Sequence, residues 1–249
     1  MATPRNNSVL KAFAILDLLD DSRQQISARD VVRLVGLNNV TAHRFLKTLT
    51  ETGVLVSPRK GVYRLGSKLV DYGERAKSFR RLAATIQPFL NRLAEDMNES
   101  VMATIFDGTM ITCIAGAHSD QSFTYNVRVG ARMDAYATAN GKLWLAFSDA
   151  EVLDSYLAAT PLVRKSPNTI VDRLDLMREL EGIRRQGFAF NNGEREDNVA
   201  AVAMPLRTAD GRMMAGVSVY GPTSRLRGEI LEKAYRLLGE TMVAATRDL

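Results

Sequence analysis

The sequence has very few of the residues on which enzymes and secreted proteins often depend. Cys113 is the only cysteine in 249 residues, which excludes an internal disulfide and makes a cytoplasmic location the expectation. His43 and His118 are the only histidines, so a histidine-based metal site has little support. The sequence contains no Walker loop, no dinucleotide-binding glycine fingerprint and no Gly-x-Ser-x-Gly elbow. We therefore expect no metal, no cofactor and no enzymatic activity.

Long apolar runs are missing as well. No stretch approaches the ~18–20 apolar residues that span a bilayer. Residues 1–21 lack an apolar signal core with a cleavage site, and their apolar residues have helical spacing instead. We therefore expect no membrane partner. The content of 46% hydrophobic and 24% charged residues is ordinary for a globular protein of one large or two modest domains.

Residues 27–66 have the pattern of a winged helix-turn-helix. Ser27 is a candidate N-cap for a first helix that ends at Gly36, and Asn38 or Asn39 can cap a second helix that ends at Gly53. The apolar residues expected to face inward are Val31, Leu34 and Val35 in the first helix, and Val40, Phe45, Leu46 and Leu49 in the second. Two β-prone runs, 54–57 and 62–65, flank the turn PRKG and predict a hairpin wing.

A winged helix-turn-helix places its second helix in the major groove of DNA, so we expect a double-stranded DNA operator as a partner. Polar residues on that helix are candidates for contact with bases, and a basic hairpin tip suits contact with phosphates. The candidate DNA-binding residues are Asn39, Thr41, His43, Arg44, Lys47 and Thr48 in the helix, and Arg59 and Lys60 in the wing.

The distribution of charge favours the same interpretation. Residues 1–80 contain 14 Lys or Arg and 7 Asp or Glu, a net charge of +7 in a chain whose total is +5. Basic surface supplies most of the sequence-independent affinity for DNA. Two alternatives remain open at this point. Helix pairs with a hairpin also occur in domains that never bind DNA, and an excess of basic residues can simply solubilise a surface.

The remaining pattern predicts an α+β fold in which strands pair as hairpins and helices pack against them. Predicted helices lie at 8–20 (with Ser8 as cap), 67–96 (broken near Pro88), 138–147, 149–158, 172–186 and 226–247. Predicted strands lie at 101–106, 110–117, 122–129, 188–191, 199–206 and 213–221. The expected division is a DNA-binding domain at 1–66, a linker helix at 67–80 and a C-terminal domain at 81–249.

The chain resembles the IclR family of transcriptional regulators in strings spread over nearly its whole length. They are SVLKAFAILDLL (8–19), RFLKTLTETG (44–53), YRLG (63–66), ATANGKLWLAF (137–147), ELEGIRRQGFAF (179–190) and VAAVAMPLRTADGRMMAGVSVYGP (199–222). The resemblance implies a GAF-like antiparallel-sheet effector-binding domain and a homodimer or dimer of dimers on DNA. It also implies a small-molecule effector, often a carboxylate. The family includes repressors and activators, so the resemblance does not give the direction of regulation.

The resemblance further implies an effector pocket whose anion lies at a helix start, where backbone N–H groups are free. The residues that match its positions are Ala139, Asn140, Asn191, Ala201, Ser218 and Tyr220. Asn191 stands where the family often has an acid, Ala201 where it often has a cysteine, and Tyr220 where it often has a second serine. Asn198 replaces a common glycine. Losing a thiol and gaining a phenol favours an aromatic or larger, partly apolar acid, and Phe123, Tyr125 and Met133 lie in the segment expected to cover the pocket.

Other functions remain as alternatives. The pocket residues can be ordinary core residues of a degenerate site, in a regulator that acts through protein partners. An enzyme fused to a DNA-binding module is a further alternative. Against it, Cys113 lies between apolar residues of a predicted strand and is interpreted as a packed thiol. The acidic run GEREDN (193–198) is interpreted as a solvated loop, although its carboxylates could also serve a metal or acid–base site.

Overall fold

A computed structural model describes residues 6–20, 22–75, 77–121, 125 and 127–249. The chain divides into two compact units, Met1–Lys77 and Ser78–Leu249. The boundary between them falls inside the predicted linker 67–80.

The first unit is a small helical domain with a hairpin. Its helices are α1 (Asn7–Leu16), α2 (Ala28–Val35), α3 (Asn39–Glu51) and α4 (Lys68–Arg75), and its strands are β1 (Leu55–Arg59) and β2 (Val62–Leu65). The hairpin is antiparallel, and an isolated bridge joins Ile26 to Tyr63 beside it. The buried core of this unit consists of Ile15, Leu19, Ile26, Val31, Leu37, Ala42, Leu46 and Leu55.

Caps fix where α2 and α3 begin. The Ser27 hydroxyl accepts a hydrogen bond from Asp30 N, and the Asp30 carboxylate accepts one from Ser27 N at 2.9 Å, which completes a capping box. Gly36 ends α2 at φ +74°, a left-handed conformation that suits glycine. Asn38 caps α3 by accepting from Thr41 N at 2.8 Å. The predicted cap at Ser27 is confirmed, and Asn38 is the cap of the second helix.

Some predictions for this unit are wrong. Helix α1 ends at Leu16 and is capped by Asn6, because Asn6 Oδ1 accepts from the amides of Ser8 and Val9. Leu34 is exposed, because α2 buries the side formed by Ala28, Val31, Val32 and Val35. Val40 is 71% exposed. It lies about 160° around the helix from the buried Ala42. The prediction that Val40 faces the core because it is apolar is therefore wrong.

The second unit contains an antiparallel sheet with helices on both faces. Its strands are β3 (Ser100–Phe106), β4 (Met110–Ala117), β5 (Arg132–Asp134), β6 (Ala189–Asn192), β7 (Val199–Arg207) and β8 (Met213–Pro222). Its helices are α5 (Lys77–Met97), α6 (Ala139–Phe147), α7 (Ala150–Ala159), α8 (Arg173–Gln186) and α9 (Gly228–Thr246). The strand order is β5-β4-β3-β8-β7-β6, and every neighbouring pair is antiparallel. The predicted α+β fold class is confirmed.

Each face of this sheet has its own hydrophobic core. On one face the core includes residues of α6, α7 and α8, with Tyr220 of β8 among them. On the other face α5 and α9 pack against alternate residues such as Val217 and Val219. This alternation follows from the two-residue period of a strand. It places Tyr220 on the same face of the sheet as α6.

Two predictions for the second unit need correction. Helix α5 runs through Pro88 without a break, because Ile86, Leu90 and Leu93 are buried on one side and their packing offsets the lost backbone hydrogen bond. The strand expected at 122–129 is absent from its described residues, and the strand on β4 is β5 instead. A turn with Gly130 at φ +87° moves the pairing with β4 onward in sequence. Residues 122–124 and 126, including the predicted pocket residue Phe123, lie outside the described part.

Candidate DNA interface and effector pocket

The outer side of α3 carries most of the residues predicted to contact DNA bases. Five of them are exposed, namely Asn39, His43, Arg44, Lys47 and Thr48, and Thr41 is half-buried. Lys47 makes an exposed ion pair with Glu51 at 3.7 Å, which is worth little in stability and leaves the ammonium accessible. The opposite side of the helix packs into the core through Ala42 and Leu46. The helix therefore presents a polar, basic side to solvent.

The hairpin between β1 and β2 places the two predicted wing residues at its tip. Arg59 ends β1, Lys60 and Gly61 form the turn, and Arg59 and Lys60 are exposed. Gly61 has φ +79°, so the tight turn depends on a glycine. Arg64, on β2 opposite Val56, is exposed too, and sequence reasoning missed it. Arg64 lies in an apolar-rich run that was predicted only as a strand, so nothing in the local pattern marked it as part of a basic surface.

A cavity in the second unit lies where the start of α6 faces β3, β7 and β8. It contains about 420 Å³ of space free of atoms, counting its opening to solvent. Five of the six predicted effector residues line it, and these are Ala139, Asn140, Asn191, Ala201 and Tyr220. Its other lining residues are Met102, Tyr125, Val127, Met133, Thr138, Arg195, Glu196 and Val199. The structure thus brings most of the predicted pocket together.

The first turn of α6 forms one end of the cavity. Thr138 is the N-cap, and its Oγ1 accepts from Gly141 N at 3.2 Å. A Cβ at Gly141 would lie 2.2 Å from the carbonyl oxygen of Ala135, so only glycine lets the helix start so close to the preceding loop. The N–H groups of Ala139 and Asn140 belong to this turn and have no acceptor within the helix. Positive potential at a helix start favours an anion there.

Tyr220, with a large side chain, and Ala201, with a small one, lie side by side in the wall of the cavity. They are cross-strand neighbours on β8 and β7, so the small Ala201 leaves room beside the phenol ring. Tyr220 is 2% exposed, and its hydroxyl accepts a hydrogen bond from Val127 N at 3.3 Å. Burial raises the pKa of Tyr220 to about 12, so the phenol stays neutral. A neutral ring whose hydroxyl already hydrogen-bonds with Val127 N and the Ser100 side chain is suited to stacking on a ligand rather than to pairing with a charge.

The polar residues predicted for the pocket are largely used inside the protein. Asn191 donates to Ala137 O at 2.7 Å and accepts from Glu194 N at 3.2 Å. Ser218 is fully buried and outside the cavity lining, because its Oγ accepts from Asn140 Nδ2 at 2.9 Å. Asn140 Oδ1 is buried and has no hydrogen-bond partner among the residues that the structure describes. Asn191 therefore forms part of the wall and retains one amide N–H, and Ser218 holds the start of α6 through Asn140.

Arg195 and Glu196 are charged lining residues that sequence reasoning missed. Arg195 Nη1 lies 2.5 Å from Glu196 Oε1, and Tyr125 Oη donates to the same oxygen at 2.9 Å. Burial and the adjacent Glu196 carboxylate raise the pKa of Tyr125. All three lie in loops that line the cavity. Arg195 and Glu196 belong to the GEREDN run, and its interpretation as a solvated loop is wrong for them because they are half-buried in the cavity lining.

Lys142 and Glu194 form a buried ion pair behind the cavity wall. Lys142 is 1% exposed, and its Nζ lies 2.6 Å from Glu194 Oε1, 2.8 Å from Glu179 Oε1 and 2.8 Å from Phe190 O. Burial raises the pKa of Glu194, and the Lys142 ammonium opposes this effect. The ammonium thus links α6, α8, β6 and the loop after it. This group positions the first turn of α6 and the loop that carries Arg195.

The described residues offer little for other chemistry. Among them, no group of three or more His, Cys, Asp or Glu side chains is placed to hold a metal ion. Cys113 is buried, and burial raises the pKa of its thiol to about 11, which keeps it protonated and unreactive at neutral pH. Within the same residues, no helix combines the length and apolar character needed to cross a membrane.

Family models match both parts of the chain. Residues 8–58 match the IclR helix-turn-helix domain, and residues 76–246 match the C-terminal domain of the bacterial transcriptional regulator IclR. The transcriptional regulator XynR of Escherichia coli K12 is 30% identical over 247 residues, which cover 99% of this chain and 98% of XynR.

Solved structures agree with this assignment. The IclR protein of Thermotoga maritima superposes with a TM-score of 0.74 at 30% identity, over 98% of both chains. An IclR homologue from Microbacterium hydrocarbonoxydans, in complex with 4-hydroxybenzoate, has the same fold with a TM-score of 0.80 at 24% identity, over 97% of this chain and 98% of that one. The chain belongs to the IclR family of DNA-binding transcriptional regulators with ligand-binding C-terminal domains.

Proposed function

We propose that this regulator senses an aromatic carboxylate in the cavity of its C-terminal unit and that α3 and the wing contact its operator. The observation that carries the ligand proposal is the composition of the cavity. A helix start suited to an anion faces a buried tyrosine ring and an apolar wall within one enclosure. An aromatic acid matches these two ends because its carboxylate and its ring lie on opposite sides of one rigid molecule.

The carboxylate is assigned to the start of α6. The amides of Ala139 and Asn140 supply N–H donors, since the Thr138 hydroxyl caps the next amide of the turn, that of Gly141. Arg195 supplies a positive charge on the cavity lining, partly compensated by Glu196 and by Asp134, whose Oδ2 lies 3.9 Å from Arg195 Nε. Asn191 can add one neutral hydrogen bond.

The ring of the ligand is assigned to the apolar wall. Met102, Val127, Met133 and Val199 supply aliphatic and thioether contacts, and Tyr220 supplies an aromatic face. A very small oxoacid would leave this surface without contacts. Tyr220 therefore sets both the size and the aromatic preference of the ligand.

On the DNA side, we assign base contacts to the exposed side of α3 and phosphate contacts to Arg59 and Lys60. A base contact by Arg44 carries sequence information, and a phosphate contact by Lys60 does not.

The protein acts as a homodimer or a dimer of dimers. Val9, Leu10 and Phe13 on α1 and Val70 on α4 are exposed apolar residues that a second copy would cover.

A thermal-shift experiment on the full chain tests the ligand proposal. The probes are 4-hydroxybenzoate and benzoate, with benzamide as a neutral isostere of benzoate and pyruvate as a small oxoacid. At a hundredfold excess over Kd, a true ligand stabilises the folded protein by about 2.7 kcal/mol. We expect a shift with at least one of the two aromatic acids and none with benzamide. A shift with pyruvate alone, or equal shifts with benzoate and benzamide, would overturn the assignment.

A further inference from the structure

Val40 is the most exposed of the large hydrophobic residues in the described part of the chain, at 71%. It lies in the first turn of α3, two residues after the cap Asn38. A single exposed valine is common on protein surfaces and needs no explanation by itself. The position of this one on the helix is what distinguishes it.

The angular position of Val40 places it in the middle of the basic side of α3. At about 100° per residue, Val40, Arg44 and Lys47 lie within about 60° of one another on the helix surface. The buried Ala42 and Leu46 lie on the opposite side. Val40 therefore shares its direction with the cations that face the DNA and cannot contribute to the core of its own domain.

The chemistry of the major groove gives such a residue a specific partner. Thymine carries a C5-methyl group there, and apolar side chains distinguish it by direct contact. In a helix the two methyl groups of valine are held in one strongly preferred χ1 rotamer. Residues near the start of a recognition helix are those that contact base edges. Val40 has the position, the apolar surface and the rigidity for this contact.

We propose that Val40 reads the 5-methyl group of a thymine in each operator half-site. This inference rests on the proposed placement of α3 in the major groove. It adds an apolar specificity element to the hydrogen-bonding residues of the same helix.

The test begins with selection of binding sites from random duplex DNA by the full wild-type chain and by Val40→Ala. We expect the wild type to enrich a site with a thymine at one fixed position of each half-site, and Val40→Ala to lose that preference. The selected operator is then made with deoxyuridine in place of that thymine in one half-site, which removes only the methyl group. Wild-type affinity should fall about 4-fold, the value for burying one methyl-sized group. Val40→Ala should bind both duplexes equally.

Matched controls separate this contact from general effects. Val243→Ala removes the same atoms from an exposed valine of α9 and should retain the full response to deoxyuridine. Because Val40 is exposed, Val40→Ala should melt at the wild-type temperature. If deoxyuridine has no effect at any thymine of the half-sites, or if Val40→Ala keeps the response, the inference is wrong while DNA recognition by α3 stands. If the wild type enriches no sequence, the placement of α3 in the groove fails as well.

Discussion

Arg44 lies on the exposed side of α3, and Leu46, two residues later, is fully buried. Replacing the arginine should therefore weaken DNA binding and leave the stability of the fold unchanged. A base-edge contact by arginine provides about 1–3 kcal/mol of discrimination. We expect Arg44→Ala to weaken binding to the operator by about tenfold or more, with a much smaller change on scrambled DNA. Fluorescence anisotropy on both duplexes, together with a melting curve, measures this.

Lys60→Ala serves as the matched comparison from the wing. A lost phosphate contact should weaken binding to operator and scrambled DNA alike, and should reduce the slope of log K against log[salt] by about 0.9. If Arg44→Ala shows this uniform pattern as well, Arg44 contacts phosphate and not a base. An unchanged operator affinity would remove Arg44 from the interface.

Tyr220 permits a test in which the ring and the hydroxyl are separated. Tyr220→Phe retains the ring and loses the hydroxyl, which hydrogen-bonds with Val127 N and with the Ser100 side chain. Tyr220→Ser removes the ring, enlarges the cavity and should shift preference away from aromatic acids. We expect calorimetric titration with the better aromatic acid to give similar affinities for wild type and Tyr220→Phe, and at least tenfold weaker binding for Tyr220→Ser. Equal affinities for all three proteins would place Tyr220 outside the ligand site.

At the scale of elements, the buried Lys142 holds the start of α6 against α8 and the loop that carries Arg195. Removing one partner of a buried ion pair costs about 3–5 kcal/mol, because a buried charge is left unpaired. Lys142→Met should therefore lower the free energy of unfolding by about this amount, as measured by urea denaturation. The double variant Lys142→Met/Glu194→Gln should recover part of the loss, since it removes the unpaired carboxylate.

The pH dependence of Lys142→Met follows from the direction of the Glu194 shift. Burial raises the pKa of Glu194 in the folded protein, and loss of the ammonium removes the opposing effect. A carboxyl with a raised folded pKa favours the folded state at low pH, and this contribution is lost as pH rises through the folded value. The deficit of Lys142→Met relative to wild type should thus be smaller at acidic than at neutral pH. A deficit that grows on acidification would contradict this origin.

Elements that depend on local chemistry were predictable from the sequence. The cap Ser27, the stop at Gly36 and the PRKG turn each act over a few residues, and the structure has an element boundary at each. Predictions failed where packing decides. The burial of α5 keeps Pro88 inside a helix, and the turn at Gly130 determines which residues pair with β4.

At the scale of the whole molecule, the exposed apolar residues of α1 and α4 favour a paired arrangement of the DNA-binding units. We expect light scattering at micromolar concentration to give the mass of a dimer or a tetramer. Phe13→Glu, which places a charge on the exposed side of α1, should shift this mass toward the monomer and weaken operator binding. A monomeric wild type, even with operator present, would contradict the proposed assembly.

The candidate site was predictable only in part, because its side-chain contacts depend on the fold of the whole chain. The resemblance supplied five residues that meet in one cavity, and these are Ala139, Asn140, Asn191, Ala201 and Tyr220. It did not predict that Ser218 is hydrogen-bonded to Asn140 outside the cavity lining. It also did not predict that Arg195 and Glu196 line the same cavity from a loop. Such contacts depend on where each side chain points in the folded protein. The place of a residue in a family-like sequence segment does not determine this direction.

The coupling between the cavity and the DNA is tested most directly by operator affinity as a function of aromatic acid concentration. The acid is the one that gives the larger thermal shift, and the titration is run on wild type and Tyr220→Ser. Typical coupling free energies of about 1–3 kcal/mol correspond to changes of about 5–150-fold. We expect the operator Kd of the wild type to change within this range, and Tyr220→Ser to need a much higher acid concentration. An operator Kd that stays constant at saturating acid, or identical acid dependence in both proteins, would contradict an aromatic-acid sensor built around Tyr220.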